Sequence, residues 1–397
     1  MSDIRLAGRV ASLAPSPTMT LDAKTKALIG QGQDVVNLTA GEPDFDTPEH
    51  IRLAAADAMN RGETRYTPVG GTPRLKQAAA ERLKLDTGID YAPDQVLVSA
   101  GAKHSLYNAV MSLVNPGDGV LLPVPYWVTY PEQIRLAGGL IEWVPIAPAH
   151  KDELTVEDLE RAVSKKSRGL ILNSPSNPSG AVIGRGHLEE IAAFCRERDL
   201  WVISDEIYMR LVYDGVEAVS IASFPGMMER TIVINGVSKA YAMTGWRIGY
   251  AAGPRSVIQA MANLQSQSTS NPTSISQAAA LAALTGPQEP VEEMRREFDR
   301  RRRYAVSRIQ TIKGLEVNDP KGAFYLWVNM EPLVGRTIAG RTITNADDLA
   351  LAWLEEAGVS VVPGSGFGVA NYFRMSYATS MERLAEGLDR MERLLGE

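Results

Sequence analysis

Residues 201–208 read WVISDEIY and residues 230–236 read RTIVING. In each segment a short apolar run is followed by polar residues. Similar runs recur from about residue 75 to about residue 285, with helical stretches such as TVEDLERAVS between them, namely DQVLVSA, GVLLPV, GLIEWVPI, RGLILNS and RIGYAAG. Nearly unbroken apolar strands separated by helices predict a mainly parallel sheet that is covered on both faces. Ligands bind at the carboxyl ends of such strands, so the residues that end strands are the candidates for function.

The pattern changes towards the C-terminus. EPVEEMRREFDRRRRYAVSRIQTI is typical of one long helix, and we interpret its arginine run 300–303 as part of a solvated face. Hairpin-like segments and a closing helix follow, which predict a smaller α+β domain. We therefore expect residues 1–13 to form an N-terminal arm, 14–48 and 296–397 the small domain, and 49–295 the large domain.

The composition excludes several classes of protein. The chain has 397 residues and a formal net charge of -6 with both signs interspersed, so we expect two domains and no nucleic-acid partner. It contains no apolar run of membrane-spanning length and no secretory signal, which predicts a cytoplasmic enzyme without a membrane partner. The single cysteine, Cys195, falls in the apolar phase of a helix and is interpreted as a buried thiol. The histidines are scattered and predict no metal site: His50, His104, His150 and His187.

A lysine at a strand end carries the chemistry. Lys239 follows RTIVING in a loop of small residues, with Arg247 further along, while Asp205 and Tyr208 end another strand. Pyridoxal phosphate needs an amine, an anion for its pyridinium nitrogen, donors for its phenolate oxygen and a phosphate site. Lys239 supplies the amine, and Asp205 supplies a carboxylate that is costly to bury unless a cation pairs with it. Taken singly, each has an ordinary alternative, Lys239 as a solvated lysine and Asp205 as a turn cap.

The sequence also contains the elements of a phosphate site. SAGAKHSLYN runs from a strand through Gly101 and Ala102 into a helix, whose N-terminal N–H groups favour an anion. Gly101 lets an anion approach the backbone, and Arg247 offers a planar fork for phosphate oxygens. Because glycine-bearing turns before helices are common, this one counts only together with the lysine and the carboxylate.

These residues lie in segments that closely resemble the class I aminotransferases, which are fold-type I pyridoxal-phosphate enzymes. The matching segments span nearly the whole chain in order: LTAGEPDFDTP, YTPVGGTPRL, PYWVTYPE, NSPSNPSG, SDEIY, NGVSKAYAMTGWRIGY and FRMSYATS. The resemblance implies an α/β fold, with a mainly parallel seven-stranded sheet between helices in the large domain and a smaller α+β domain. It also implies a homodimer with shared active sites that acts on amino acids and 2-oxo acids, most similar to the bacterial aspartate aminotransferases.

For the cofactor, the resemblance implies that Lys239 is the covalent anchor and that Asp205 pairs with the pyridinium nitrogen. Tyr208 and Asn177 would bond the phenolate oxygen, and Trp127, which alone would be interpreted as a core aromatic, would stack on the ring. The phosphate would be bound by Gly101, Ala102, Ser238 and Arg247, with Lys103 beside them and Tyr66 of the partner subunit reaching in.

For the substrate, the resemblance implies that Arg374 clamps the α-carboxylate, with Gly41, Trp127 and Asn177 completing the pocket. By itself, Arg374 would be interpreted as an exposed strand residue. Relatives of the animal type bind a second carboxylate with an arginine in the segment that corresponds to LQSQSTSNPTS, which holds no arginine here. In the bacterial branch a lysine has this task, and Lys103 occupies its place; its alternative role is that of a phosphate neighbour.

Two positions depart from the family pattern. Gly236 stands where many members carry a hydroxyl residue, so one phosphate hydrogen bond is either missing or replaced by one from Ser238. Ala14 stands where prephenate-using members carry a basic residue, which argues against prephenate as a substrate.

The predicted reaction is transamination by a ping-pong mechanism, in which L-aspartate and 2-oxoglutarate give oxaloacetate and L-glutamate. Aromatic, prephenate or broad specificity stays open, as does a lyase, decarboxylase or synthase on the same fold. A nicotinamide dehydrogenase is disfavoured because the best glycine cluster, GSGFG at 364–368, lacks the dinucleotide-binding spacing. A non-enzymatic module is disfavoured because every proposed chemical position is filled.

Overall fold

The computed structural model describes residues 4, 6–11, 13 and 17–396. Ala14, which bears on prephenate, lies outside these described residues, as do residues 1–3, 5 and 12 of the predicted arm. No helix in the described part of the chain combines the length and the apolar character needed to cross a membrane. The α-helices are α1 (Gly8–Ala11), α2 (Pro17–Gly30), α3 (Glu49–Asn60), α4 (Pro73–Thr87), α5 (Ala102–Leu113), α6 (Thr129–Leu136), α7 (Val156–Ala162), α8 (Arg185–Glu197), α9 (Arg255–Ser266), α10 (Ser274–Thr285), α11 (Glu289–Ile309), α12 (Ala346–Ala352) and α13 (Met381–Gly396).

The strands coincide with the apolar runs of the sequence, since GVLLPV, for example, is a strand over its full length. The strands are β1 (Val36–Asn37), β2 (Val96–Ser99), β3 (Gly119–Val124), β4 (Leu140–Pro145), β5 (Ser167–Asn173), β6 (Trp201–Asp205), β7 (Thr231–Gly236), β8 (Gly249–Ala252), β9 (Glu316–Val317), β10 (Tyr325–Asn329), β11 (Thr337–Ile338), β12 (Arg341–Thr342), β13 (Val359–Ser360), β14 (Val362–Pro363) and β15 (Tyr372–Ser376).

A seven-stranded sheet has the order β2-β8-β7-β6-β5-β3-β4. Neighbours from β7 to β4 are parallel, and β8 runs antiparallel to both β2 and β7, so the predicted mainly parallel sheet is confirmed. Strands β2, β7 and β8 are buried along their whole length, which explains their unbroken apolar composition. The parallel register places Asn173 opposite Asp205 at the carboxyl ends of β5 and β6.

Helices cover both faces of this sheet. Leu106 of α5 shares one apolar cluster with Ile234 of β7, and Leu75 of α4 shares another with Val233 of the same strand. Successive strand residues point to opposite faces, so the two helices lie on opposite sides. The carboxyl edge of the sheet is left as the accessible side for a ligand.

A second, four-stranded antiparallel sheet has the order β14-β15-β10-β9. It shares a core with α11, α12 and α13, in which Phe298, Leu349, Phe373 and Leu388 are fully buried. Helix α11 runs continuously across residue 295, the predicted boundary between the two domains. The position of the domain boundary therefore stays a prediction.

The arginine run on α11 differs from its interpretation as a solvated face. Arg300 and Arg303 are exposed, but Arg301 and Arg302 are buried, with exposed fractions of 6% and 1%. Four consecutive residues of a helix point in all directions, so an inward pair is unavoidable when the helix packs on a core. Arg302 is compensated by ion pairs with Asp214 at 2.9 Å and Asp299 at 2.7 Å and by one with Asp319.

Cys195 is fully buried in the cluster beneath α8, as expected for a packing thiol. Burial raises the pKa of the Cys195 thiol to about 12. The thiol is therefore protonated and unreactive at neutral pH, and the interpretation as a structural cysteine is confirmed.

We predict that Arg302→Met lowers the free energy of unfolding by about 1.5–3 kcal/mol, because the buried guanidinium loses its charged hydrogen bonds to Asp299, Asp214 and the Pro320 backbone oxygen. Arg303→Met is the matched control on the same helix. It removes an exposed guanidinium that pairs with Asp214 and Asp299, and should cost less than about 1 kcal/mol. Urea unfolding followed by circular dichroism measures both, and equal losses would contradict the burial argument.

Candidate active site

One cleft at the carboxyl edge of the large sheet collects most of the predicted site residues. It has a volume of about 540 Å³, and residues of both sheets line it. Gly101 is outside the lining but lies against the guanidinium of Arg247, a lining residue, and Tyr66 lies elsewhere on the surface. The predicted residues in the lining are Gly41, Ala102, Lys103, Trp127, Asn177, Asp205, Tyr208, Ser238, Lys239, Arg247 and Arg374.

Lys239 places an amine in the middle of this lining. It follows β7, and its Nζ donates a hydrogen bond to the backbone oxygen of Gly41 at 2.5 Å. Burial lowers the pKa of Lys239 to about 8, with nearby Arg374 and Arg247 acting in the same direction and Glu42 opposing them. The amine therefore loses its proton far more readily than an ordinary lysine.

Asp205 is a carboxylate held away from water at the end of β6. Its exposed fraction is 4%, and it accepts hydrogen bonds from the Tyr130 hydroxyl at 2.9 Å and the Ile207 N–H at 3.2 Å. Burial raises the pKa of Asp205 to about 6, although these hydrogen bonds and Lys239 lower it. None of the ion pairs among the described residues includes Asp205, so a cationic ligand would find an uncompensated carboxylate.

Arg374 is buried in the cleft wall, although its sequence context alone suggests an exposed strand residue. One terminal nitrogen donates to Asn177 Oδ1 at 3.0 Å and the other to the Thr39 backbone oxygen at 2.9 Å. Its Nε is buried without a partner in the described part of the chain. Arg374 is therefore fixed in the wall and retains a donor for a bound anion.

Tyr208 and Arg374 both contact a second tyrosine, Tyr325. The hydroxyls of Tyr208 and Tyr325 are 3.0 Å apart, and the Tyr325 ring lies 4.4 Å from the Arg374 guanidinium carbon. Burial raises the pKa of Tyr208 well above its usual range, and Tyr325 adds to the shift. The Tyr208 hydroxyl therefore keeps its proton and can donate it in a hydrogen bond to a ligand.

The predicted phosphate turn is built from closely packed backbone. Gly101, with φ of 92°, precedes α5, and the Arg247 guanidinium lies against it where any side chain would collide. A side chain at Gly249 of β8 would likewise collide with the backbone nitrogen of Ala102. Ser238 lies in the cleft lining, whereas the carbon of a side chain at Gly236 would lie 2.9 Å from the Gly249 Cα. Ser238 therefore offers a hydroxyl in the cleft that Gly236 cannot.

Lys103 and Trp127 lie together in the lining of the same cleft. The Lys103 ammonium lies 4.7 Å from the centre of the Trp127 ring, and the Trp127 ring meets Tyr130 edge-on at 5.4 Å. Burial lowers the pKa of Lys103, and neighbouring Arg247 lowers it further. The geometry allows both roles considered for Lys103, a partner for a substrate carboxylate and a neighbour of a phosphate.

Tyr66 does not reach the cleft of its own chain. Its exposed fraction is 91%, and it lies in a surface depression with Arg61, Arg65 and Arg74. The Tyr66 ring therefore takes no part in the core or in the cleft of its own chain.

Sequence reasoning missed several residues that shape the site. Tyr130 bonds Asp205, Tyr325 bonds Tyr208, and Glu42 accepts a hydrogen bond from Thr244 at 2.6 Å in the lining. Their signal in the sequence is weak, because aromatic residues in PYWVTYPE and GAFYLWVNM are interpreted first as core. His104 accepts a hydrogen bond from the Ala100 N–H at 3.3 Å, which is a packing role, and no cluster suited to a metal ion occurs among the described residues.

The residues of the cleft fit pyridoxal phosphate. An amine (Lys239), a buried carboxylate (Asp205) and a protonated phenol (Tyr208) meet the needs of its aldehyde, ring nitrogen and phenolate oxygen. Basic residues outnumber acidic ones among the described lining residues, which suits a phosphate and a carboxylate together. The basic residues are Lys26, Lys103, Lys239, Arg247 and Arg374, and the acidic ones are Glu42 and Asp205.

Comparisons with known proteins agree with this geometry. The family model Aminotransferase class I and II matches residues 33–391. An aspartate aminotransferase of Bacillus sp. (strain YM-2) is 46% identical over 391 residues, which are 98% of this chain and 99% of the relative. An aspartate/prephenate aminotransferase of Cereibacter sphaeroides is 46% identical over 393 residues and 98% of both chains.

Solved structures of aspartate aminotransferases are also similar to this chain over nearly its full length. The crystal structure of the Rhizobium meliloti aspartate aminotransferase has a TM-score of 0.96 and 43% identity over 99% of both chains. A structure of the Thermus thermophilus aspartate aminotransferase with maleate has a TM-score of 0.93 and 41% identity, over 99% of this chain and all (100%) of the other.

The acidity of Lys239 can be measured directly on the cofactor-free protein. We predict that acetic anhydride acetylates Lys239 with a pH midpoint near 8, because only the neutral amine reacts and its pKa is about 8. Ordinary lysines, with pKa values near 10.4, are the internal reference. Peptide mass spectrometry across a pH series gives each midpoint. A Lys239 midpoint near that of the reference lysines would show that the amine is solvated.

Proposed function

The chain belongs to the class I and II aminotransferases, and we propose that it transfers the amino group of L-aspartate to 2-oxoglutarate, giving oxaloacetate and L-glutamate. The family match confirms the predicted enzyme class, fold type and use of pyridoxal phosphate. One observation carries the choice of aspartate: Arg374 from β15 and Lys103 from α5 line the same cleft as Lys239. A dicarboxylate can pair with both cations, whereas alanine leaves one of them unpaired.

The relatives support this choice. The Bacillus relative is named an aspartate aminotransferase, and the Thermus thermophilus structure contains maleate, which is itself a dicarboxylate. Aspartate and 2-oxoglutarate share this feature with maleate. One cleft with two cations can thus serve both halves of a ping-pong reaction.

Residues in the lining of the cleft bind and orient the substrate. Arg374 is held by Asn177 and Thr39 and receives the α-carboxylate. A fixed guanidinium sets the direction of the substrate's Cα–H bond relative to Lys239, so the amine meets the proton that has to leave. Trp127 also lines the cleft, and the Lys103 ammonium lies 4.7 Å from the centre of its ring.

Proton transfer falls to Lys239. When pyridoxal phosphate is bound, it supplies the electron sink that stabilises negative charge at the substrate's Cα. The lowered pKa of Lys239 makes its neutral amine available near neutral pH, so Nζ can take the proton from the substrate's Cα and would return it to C4′ of the bound cofactor. Asp205 would pair with the protonated ring nitrogen of the bound cofactor, and the hydrogen bonds from Tyr130 and Ile207 hold both of its oxygens in place.

Prephenate is the second candidate substrate. The Cereibacter sphaeroides relative, at 46% identity, is named for both aspartate and prephenate. Ala14, the position that argued against prephenate in the sequence, lies outside the described residues.

The substrate can be identified from half-reactions with single amino donors. We predict that aspartate aminates the bound cofactor at least about tenfold faster than alanine, because only aspartate pairs with Lys103. Lys103→Met should remove this preference, whereas Arg374→Leu should slow both donors since both carry the α-carboxylate. Stopped-flow absorbance of the cofactor measures the rates. If aspartate reacts no faster than alanine, the dicarboxylate assignment is wrong, and faster reaction with phenylalanine or arogenate supports the alternatives.

We further propose a homodimer in which Tyr66 of the partner subunit completes each phosphate site. Tyr66 is exposed and remote from its own cleft, and exposed Leu53 and Met59 lie on the adjoining helix α3. Burying these apolar groups against a second copy would favour association. The division into an N-terminal arm and two domains, and a cytoplasmic location, stay predictions from the sequence.

Mixed dimers test this arrangement. We predict that a heterodimer of a Lys239→Ala chain and a Tyr66→Ala chain regains one site with wild-type affinity for pyridoxal phosphate. One of its two sites then combines Lys239 of one chain with Tyr66 of the other. Differently tagged chains allow purification of the heterodimer, and fluorescence titration gives its affinity. Should every site bind as weakly as in the Tyr66→Ala homodimer, Tyr66 acts within its own chain.

A further inference from the structure

Tyr325 lies between two groups that the reaction uses. It is the first residue of β10 in the small sheet and is fully buried. Its hydroxyl is 3.0 Å from the hydroxyl of Tyr208, and its ring lies 4.4 Å from the guanidinium carbon of Arg374. One side chain thus touches both the proposed donor to the cofactor and the proposed clamp for the substrate.

We infer that Tyr325 is a positioning residue. Its hydroxyl directs the Tyr208 proton into the cleft, and its ring keeps the Arg374 guanidinium from tilting. The inference rests on the proposed function, since it assigns Tyr208 to the cofactor and Arg374 to the α-carboxylate. It goes beyond that function by naming a residue that couples the two sites.

The hydroxyl pair has a simple proton balance. A phenol has one proton to donate and lone pairs to accept with. If Tyr208 donates its proton to a ligand in the cleft, it can only accept from Tyr325, so Tyr325 must donate. A donor that itself accepts a hydrogen bond is polarised and becomes a stronger donor. The Tyr325 hydroxyl therefore both orients and strengthens the bond that Tyr208 makes.

The ring of Tyr325 acts on Arg374 in another way. Asn177 and Thr39 hold the two terminal nitrogens of Arg374, which fixes the guanidinium within its plane. The Tyr325 ring then lies at cation–π distance, and Phe367 approaches the guanidinium carbon to 5.2 Å. Removing the ring would let the guanidinium tilt, and a planar carboxylate would lose alignment with the fork.

Two variants separate the hydroxyl from the ring in the enzyme with its cofactor bound. Tyr325→Phe should raise the pH midpoint of the cofactor's visible absorbance by about 0.5 unit or more, because weaker donation from Tyr208 leaves the phenolate oxygen more basic. Its dissociation constant for maleate should stay within about twofold of wild type, since the ring remains. Tyr325→Leu should shift the midpoint similarly and also weaken maleate binding about tenfold.

Tyr377→Phe is the matched control. Tyr377 is equally buried and donates its hydroxyl proton to the Ala323 backbone oxygen at 3.1 Å, away from the cleft. This variant should move neither the midpoint nor maleate binding, although it loses a buried hydrogen bond.

The inference is overturned if the midpoint of Tyr325→Phe equals that of wild type and of Tyr377→Phe. It is also overturned if a folded Tyr325→Leu binds maleate as tightly as Tyr325→Phe. Should Tyr325→Leu fail to fold, the midpoint of Tyr325→Phe decides alone. Wild-type enzyme that does not bind maleate would instead count against the dicarboxylate specificity of the proposed function, and the midpoint would still decide the role of Tyr325.

Discussion

The site depends on the burial of one carboxylate. Asp205 ends a strand in the interior of the large sheet, where burial raises its pKa to about 6 even though Tyr130 and Ile207 donate hydrogen bonds to it. A buried carboxylate without a cation is costly, and in the proposed arrangement the protonated ring nitrogen of the cofactor would relieve that cost. The same low-dielectric surroundings depress the pKa of Lys239 to about 8, so burial makes the carboxylate costly without a cation and the amine easier to deprotonate.

The large sheet determines where these buried groups lie relative to one another. Parallel strands bring their carboxyl ends to one edge, so Asn173 and Asp205 lie opposite each other and Lys239 follows the adjacent strand. Antiparallel β8 then brings Gly249 against the start of α5, where only a glycine fits. Ala102 and Lys103 at the start of α5 line the cleft together with Arg247, and the N-terminus of a helix favours a bound anion.

The parts of the site that could be predicted are those carried by local sequence. Lys239, Asp205 and the turn before α5 were found because apolar runs mark the strands and function follows the strand ends. The family resemblance then placed Asn177 and Arg374 in the same cleft. Tyr130 and Tyr325 were missed, since a buried tyrosine with a core role and one with a site role look alike in sequence. The prediction that the arginine run is solvent-exposed was wrong for Arg301 and Arg302. Four identical residues in a row give no sign of which side of the helix packs on a core.

The sequence by itself determined the alternation of strands and helices, the mainly parallel sheet and the chemical identity of the groups at its edge. Periodicity and residue type depend on residues that are close together in the chain, so both can be seen directly in the sequence. Only the tertiary structure decided that Arg374 is buried beside Asn177, that Tyr325 contacts both Tyr208 and Arg374, and that Tyr66 points away from its own cleft. These contacts join residues that are far apart in the chain, and their distances depend on how two sheets pack together rather than on any local pattern.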